Sequence, residues 1–385
     1  MALSIPLGLE ETIVSEKIWD VIVVGAGPAG ALAAREMARA GAAVLLVDKA
    51  VFPRPKVCGC CLNENALGSL EAVGLGDLPL RLGAQPIQSM RLGVGGRRAS
   101  IPLPGGAALS REVLDAALIK EAIAAGSHFL SQTSAVLEPT QERIRSVSLS
   151  QGETVVQVKA QVVVAADGLG GTFLEKESGF DVTLMPDSRI GASAITSEAP
   201  DFYQPGTIFM ACGAGGYVGL VRVEEGRLDV AAAFDREFLK RMGVPGYAAA
   251  GILHEVRFPP IEQLAELPWR GTPALTRHRS RVAGDRLFVI GDAAGYVEPF
   301  TGEGMAWAFA SALAVAPLAL EGIRRWDDSL PDRWAAAHRR LIGNRQKICG
   351  VIARALRQAA LRRFAVRILD KAPLCATPVV RAINR

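Results

Sequence analysis

The chain has 385 residues, half of them hydrophobic and 21% charged, which allows one large or two ordinary globular domains with a sizeable core. The net charge of +4 is small but uneven: residues 339–385 hold twelve Lys or Arg and one acid, a net of +11, leaving about −7 on residues 1–338. No recognised nucleic-acid module accompanies that charge, and residues 1–17, with Glu10, Glu11, Glu16 and no long apolar core, do not read as a secretory signal. They predict a short leader on a cytoplasmic protein.

The first element is an apolar run, Asp20-Val21-Ile22-Val23-Val24, of the length and type of a strand buried on both faces. Gly25-Ala26-Gly27-Pro28-Ala29-Gly30 follows, then a helix over residues 31–40 stopped by Gly41, and a second apolar strand over residues 43–47 that ends on Asp48. In that order each glycine has a task. Gly25 permits the tight turn, Gly27 lets the backbone approach a pyrophosphate, and Gly30 lets helix and strand pack closely. The helix N-terminus offers unpaired N–H groups to phosphates, and an acid at the end of the second strand suits a ribose. This unit predicts dinucleotide binding without choosing between FAD and NAD(P).

Lys49, Arg54 and Lys56, with Pro53 and Pro55, make a stiff cationic loop that runs through Val57 to Cys58 and Gly59. Cys58-Gly59-Cys60-Cys61 has no second ligand pair at zinc spacing, so no metal site is expected, and no structural disulfides are expected in a reducing compartment. A helix over residues 63–74 and a hairpin over residues 87–101 come next. Ser110 is set to cap a helix that starts at Arg111 and runs to about residue 125. Two strands, residues 155–158 and 161–164, lead to Asp167-Gly168, where an open α/β sheet would bind its ligand.

Residues 189–274 change texture to short apolar stretches broken by glycines and charges, a mainly antiparallel sheet with a turn at Glu224-Glu225-Gly226-Arg227. Residues 286–290 form another buried strand, entering Gly291-Asp292-Ala293. After it stands Pro299-Phe300-Thr301-Gly302-Glu303-Gly304-Met305. The uncharged run 304–320 is at the short limit for a bilayer span and contains Pro317, so a buried domain helix is predicted. Farther on, Ile348, Val351, Ile352, Ala355 and Ala359 share one helical face with Arg354 and Arg357 opposite. Such a segment either covers a domain with its apolar face or lies on anionic lipid.

Four separated signatures, Gly25 to Gly30 with Asp48, Lys56-Val57-Cys58-Gly59, Asp167-Gly168, and Gly291-Asp292 with residues 299–304, occur in the order found in FAD-dependent oxidoreductases. The chain resembles that family, which includes aromatic-ring hydroxylases, flavin halogenases and geranylgeranyl reductases. The resemblance implies an α/β fold: a Rossmann-like FAD-binding domain of the glutathione reductase type, an inserted mainly antiparallel β-sheet substrate domain and a C-terminal helical segment. It divides the chain into a leader (1–17), FAD-binding parts (18–80, 106–182 and 279–325), a substrate-domain hairpin (81–105), the substrate domain (183–278) and a basic helical region (326–385). FAD is then the resident cofactor, held by Gly25, Gly27, Pro28, Ala29, Gly30, Asp48, Lys49, Arg54, Lys56, Val57, Cys58, Gly59, Arg111, Asp167 and Gly168. Gly291, Asp292, Ala293, Pro299, Thr301, Gly302, Glu303, Gly304 and Met305 complete the set, with Asp292 on the ribitol chain and the 301–304 turn presenting N–H groups to the flavin.

Gly213-Ala214-Gly215-Gly216 lacks a following helix and acid and reads as a sheet turn, so NAD(P)H is expected only as a transient electron donor. The Lys-x-Cys-Gly loop is most like that of geranylgeranyl reductases, which implies an oxidoreductase that reduces a double bond in a lipophilic small molecule. Cys58, as a proton donor beside the flavin, and Tyr217 are its catalytic candidates. Only Tyr217 remains of the aromatic-rich strand of prenyl reductases, which leaves open a monooxygenase acting on an aromatic or polyketide-type substrate. A flavin-binding redox sensor without catalysis is the third reading. Halogenases show a Trp-x-Trp-x-Ile element that is missing here, and the basic end adds a peripheral contact with the inner membrane face as a partner.

Overall fold

The computed structural model describes residues 18–139, 143–298, 300 and 302–377. The leader, Pro299 and Thr301 thus lie outside the described residues. Strand β1 (Ile18–Val24) leads into α1 (Pro28–Arg39) and β2 (Val44–Val47), and a hairpin of β3 (Ser89–Val94) and β4 (Arg97–Pro102) follows. The chain continues through α2 (Arg111–Ala124), β5 (His128–Leu130) and the long strand β6 (Thr154–Ala165). Next come β7 (Ile190–Thr196), β8 (Thr207–Gly213), β9 (Gly216–Arg222), β10 (Leu228–Phe234), α3 (Pro245–Glu255) and β11 (Arg270–Ala274). Strand β12 (Leu287–Val289) precedes the helices α4 (Gly304–Arg324), α5 (Leu330–His338), α6 (Asn344–Arg357) and α7 (Ala359–Lys371).

The parallel part of the first, eight-stranded sheet runs β12-β6-β1-β2-β5. Its apolar runs are buried on both faces because Val21, Val23 and Val164 pack toward α1 and α4, while Ile22, Val163 and Val289 pack into a second cluster behind the sheet. Parallel strands all end at one edge. The loops after β1, β6 and β12 therefore meet there, which places the site.

The second sheet has seven strands, β11-β7-β10-β9-β8-β3-β4, antiparallel except for β3 beside β8. Its period-2 alternation splits the side chains: Phe209, Val218, Leu220 and Val230 pack under α3, whereas Ile208, Met210, Tyr217 and Val221 face the first sheet. The predicted turn between β9 and β10 is present, with Glu225 and Gly226 at positive φ (58° and 69°). Sheet and helices together give the α/β fold the resemblance implies.

Three boundaries differ from the sequence expectation. The two strands predicted within residues 155–164 are one, β6, whose first half pairs antiparallel with residues Arg145–Gln151 and whose second half lies parallel to β1. Burial changes from one-sided to two-sided near Ala160, and that change of pattern imitates a break. Helix α1 begins at Pro28 rather than residue 31, since proline suits the first helical position. Helix α4 runs on to Arg324 past Pro317, with Phe309, Ala312 and Val315 buried in the domain core as predicted.

The basic end departs further. The helix predicted through Ala359 breaks at Gln358, whose ψ of 116° is extended, so Ala359 begins α7. On α6 it is Cys349 and Ala353 that point inward, while Ile348 and Val351 are exposed. The predicted apolar face does not cover the domain.

Candidate active site

The early turn is built around absent side chains. Gly25 has φ +104°, and a Cβ there would stand 2.3 Å from the Ala166 carbonyl oxygen; one at Gly30 would stand 1.8 Å from the Gly25 oxygen. No side chain fits at either position. Gly27 differs, its nearest would-be neighbour being Arg111 Nη2 at 3.7 Å, so its outer side is open to a ligand. Asp48 closes the unit by accepting the Ala26 and Ala50 amides, each at 2.8 Å. The late turn reaches the same place. Gly291, at φ +60°, lies so close to α1 that a Cβ would be 2.9 Å from Ala29 Cβ.

Three cations converge beside these turns. Arg111 donates from Nε and Nη2 to the two oxygens of fully buried Asp115, at 2.7 and 2.8 Å, which orients its guanidinium. Arg54 lies between Asp48 (3.9 Å) and Asp115 (3.7 Å), with its guanidinium 4.7 Å from the Phe52 ring centre. Burial, and then repulsion from Arg54 and Arg111, pull the Lys56 pKa below the ordinary lysine range. An anion among them would relieve that repulsion. Burial raises the Asp292 carboxyl against the opposing pull of Arg111 and Lys56, and raises Asp167, whose Oδ2 accepts the Phe173 amide at 3.0 Å.

The cavity, about 350 Å³, extends from this polar rim across the inner face of the second sheet. Ile87, Leu103, Ile208, Met210 and Val221 line the far part. Tyr217 stands at their edge, half-buried, its ring edge-on to Phe300 at 5.1 Å and 5.6 Å from the guanidinium of Arg189. Arg189 is itself held by Asp235 (2.9 Å) and buried Glu298 (3.0 Å).

Residues 19–212 match the family model described as FAD binding domain. The chain belongs to that family. This flavoprotein is similar to the menaquinone reductase of Mycobacterium tuberculosis, 30% identical over 344 residues, 82% of this chain and 80% of that protein. It is also similar to digeranylgeranylglycerophospholipid reductase 1 of Methanopyrus kandleri, 28% identical over 333 residues, 82% of this chain and 86% of that protein. Among solved structures it resembles the flavin-dependent brominase Bmp2, with a TM-score of 0.79 and 17% identity over 96% of this chain and 94% of that one. At that identity the likeness is one of fold, which hosts several chemistries.

The residues present fit FAD. An open Gly27 at the start of α1, three cations gathered on one rim and a braced Asp48 suit a pyrophosphate and a ribose, while the wider apolar part leaves room for an isoalloxazine. Most of the residues expected to hold it line one cavity: Gly25, Gly27, Pro28, Ala29, Asp48, Arg54, Lys56, Val57, Cys58, Gly59, Arg111, Asp167, Gly168, Gly291, Asp292, Gly302, Gly304 and Met305. Four do not. Gly30 packs behind the turn, Ala293 is buried in the core, and Lys49 is exposed in the bend after Asp48, where its charge still acts on Asp167. Glu303 is turned toward α6, where its Oε2 accepts the Cys349 thiol at 2.6 Å.

The cysteines occupy the junction of the two halves. Cys58, Cys60 and Cys61 all line the cavity, and the Cys60 amide donates to Cys58 Sγ at 3.4 Å. Bonding from the Cys60 side chain, with help from Arg111, outweighs burial and brings the Cys58 thiol down to about 6. Cys60, at φ 54°, is pushed up by that same bond and by burial, and burial pushes Cys61 up. One thiolate thus sits among thiols.

Two residues escaped the sequence reading. Tyr296 lines the cavity, its hydroxyl 3.5 Å from where a Gly304 Cβ would be, and burial, then Asp292, raise its pKa so that it stays protonated. Asp229 is 2% exposed on β10, its carboxyl beside Cys60, with Oδ2 lacking a hydrogen-bond partner among the described residues. Its signal was visible, an acid inside the apolar run Leu228-Asp229-Val230, whereas a lone tyrosine carries none.

Proposed function

We propose that this flavoprotein is an NAD(P)H-driven reductase that saturates a carbon–carbon double bond in a lipophilic small molecule of the isoprenoid-bearing kind. The observation that carries the reading is one cavity with two linings, cationic and glycine-built at one end and apolar at the other. The similarity to a menaquinone reductase and a digeranylgeranylglycerophospholipid reductase supports it. The segment 183–278 serves as the substrate domain, and the protein works in the cytoplasm. FAD, when bound, would supply two-electron hydride chemistry between a nicotinamide donor and the substrate.

The chain supplies the rest. Gly27 and the N-terminus of α1, with Arg54, Lys56 and Arg111, would hold the pyrophosphate, Asp48 the ribose and Asp292 the ribitol chain. Saturation of the bond needs one proton besides the hydride. Cys58 gives it from Sγ in the minority of molecules that hold a proton there near neutral pH, its pKa being about 6, and the thiolate left behind, stabilised by the Cys60 bond and Arg111, regains a proton from solvent. Tyr217 positions the apolar substrate against that thiol.

Anaerobic single-turnover work tests the reading. Reduced enzyme mixed without oxygen with menaquinone or a geranylgeranyl lipid should reoxidise in step with formation of the saturated product. Product that forms only after oxygen is admitted would establish a monooxygenase instead.

A further inference from the structure

The two terminal helices carry a surface that the nucleotide and substrate sites do not use. Five of the fourteen large hydrophobic residues exposed on the described structure lie on α6 and α7: Ile348, Val351, Leu361, Phe364 and Ile368. Val351 is 64% and Phe364 62% exposed, so these are not half-covered rim positions. On α7, Leu361, Phe364 and Ile368 follow the i, i+3, i+7 spacing of one stripe, and Arg363, Arg367 and Lys371 form the stripe beside it. On α6, Lys347 and Arg354 flank Ile348 and Val351 in the same way. Residues 344–371 hold eight Lys or Arg and one acid, Asp370.

We propose that α6 and α7 dock the enzyme on an anionic lipid bilayer, with the five apolar side chains at the acyl–headgroup boundary and the flanking cations on lipid phosphates. A stripe that is apolar in the middle and one-sidedly cationic at its flank matches a negatively charged lipid surface. An acidic protein partner would satisfy the cations but not the apolar row.

The opposite side of α7 ties this surface to the cavity. Val366 and Leu369 pack with Met90, Met210, Tyr217 and Phe300, and those four line the cavity. Arg357, at the end of α6, bonds Asp187 and Glu298, and Glu298 also holds the Arg189 that lies over Tyr217. One layer of side chains therefore separates the lipid face from the substrate end. Delivery of substrate across that layer rests on the proposed lipophilic substrate, whereas docking itself does not.

Co-sedimentation of the full-length, FAD-loaded protein with vesicles separates the two. Binding is expected on an equimolar phosphatidylcholine–phosphatidylglycerol mixture, weak on phosphatidylcholine alone, and reduced as salt is raised. The double variant Leu361→Gln/Phe364→Gln, altered only at exposed positions, should keep its flavin spectrum and lose roughly tenfold or more of its vesicle affinity. Equal binding to both vesicle types, or unchanged binding by the double variant, overturns the proposal. So does a concentration-dependent dimer that the double variant abolishes in a protein that ignores vesicles, since the face then belongs to a second copy. An inactive enzyme that still binds anionic vesicles would overturn the reductase reading and leave docking intact.

Discussion

The two ends of the cavity are made differently. At the cofactor end the wall is largely backbone: Gly25 and Gly291 at positive φ, an open Gly27, and charged groups clamped by Asp115 and Asp48. At the apolar end the wall is side chains, Ile208, Met210, Val221 and Tyr217, projecting from alternate positions of a sheet. A backbone wall tolerates almost no change. A side-chain wall can be re-lined residue by residue without disturbing the strands beneath, which lets one fold host several chemistries.

The sharpest way to break this contrast is at Gly30. Gly30→Val should yield no folded, FAD-containing protein, because its Cβ would fall 1.8 Å from a backbone oxygen that cannot move aside; soluble yield and flavin absorbance read the outcome. Next in size is Arg111→Ala. It strips buried Asp115 of its bidentate partner and should cost about 3–5 kcal/mol in denaturant melts, along with most of the FAD occupancy. A variant that kept its flavin would remove Arg111 from the cradle.

Ile208→Trp probes the other wall. Filling the apolar end should weaken binding or turnover of a lipophilic substrate by tenfold or so while FAD occupancy and stability change little. Loss of flavin in that variant would mean that the two linings are not independent. The smallest effect is a titration at the junction. Folding lowers the Cys58 pKa, so its thiolate persists as pH falls until about 6, and iodoacetamide labelling of the flavin-free protein should rise with pH around that midpoint. Cys58→Ser, which removes the thiol, should abolish the labelling phase. A midpoint near the ordinary thiol value in the wild-type protein would remove the bond from Cys60 as the cause.

By itself the sequence determined the cofactor end. Strand, glycine turn, helix and acid follow one another within thirty residues, and the glycine spacing acts through local backbone geometry, so the meaning of Gly25, Gly27, Gly30 and Asp48 can be read without neighbours. The pairing of that turn with Gly291 was legible too, because two parallel strands with ligand-type loops end at one sheet edge. Tertiary structure alone decided the ionisation of Cys58, the placing of Asp229 beside Cys60 and the entry of Tyr296 into the cavity. It also decided which face of α6 and α7 meets water: helical periodicity defines a stripe, but only the neighbours that Cys349, Ala353 and Val366 find in the folded chain determine whether that stripe is covered. Such properties arise from contacts between residues far apart in the chain, where spacing along the sequence carries no information.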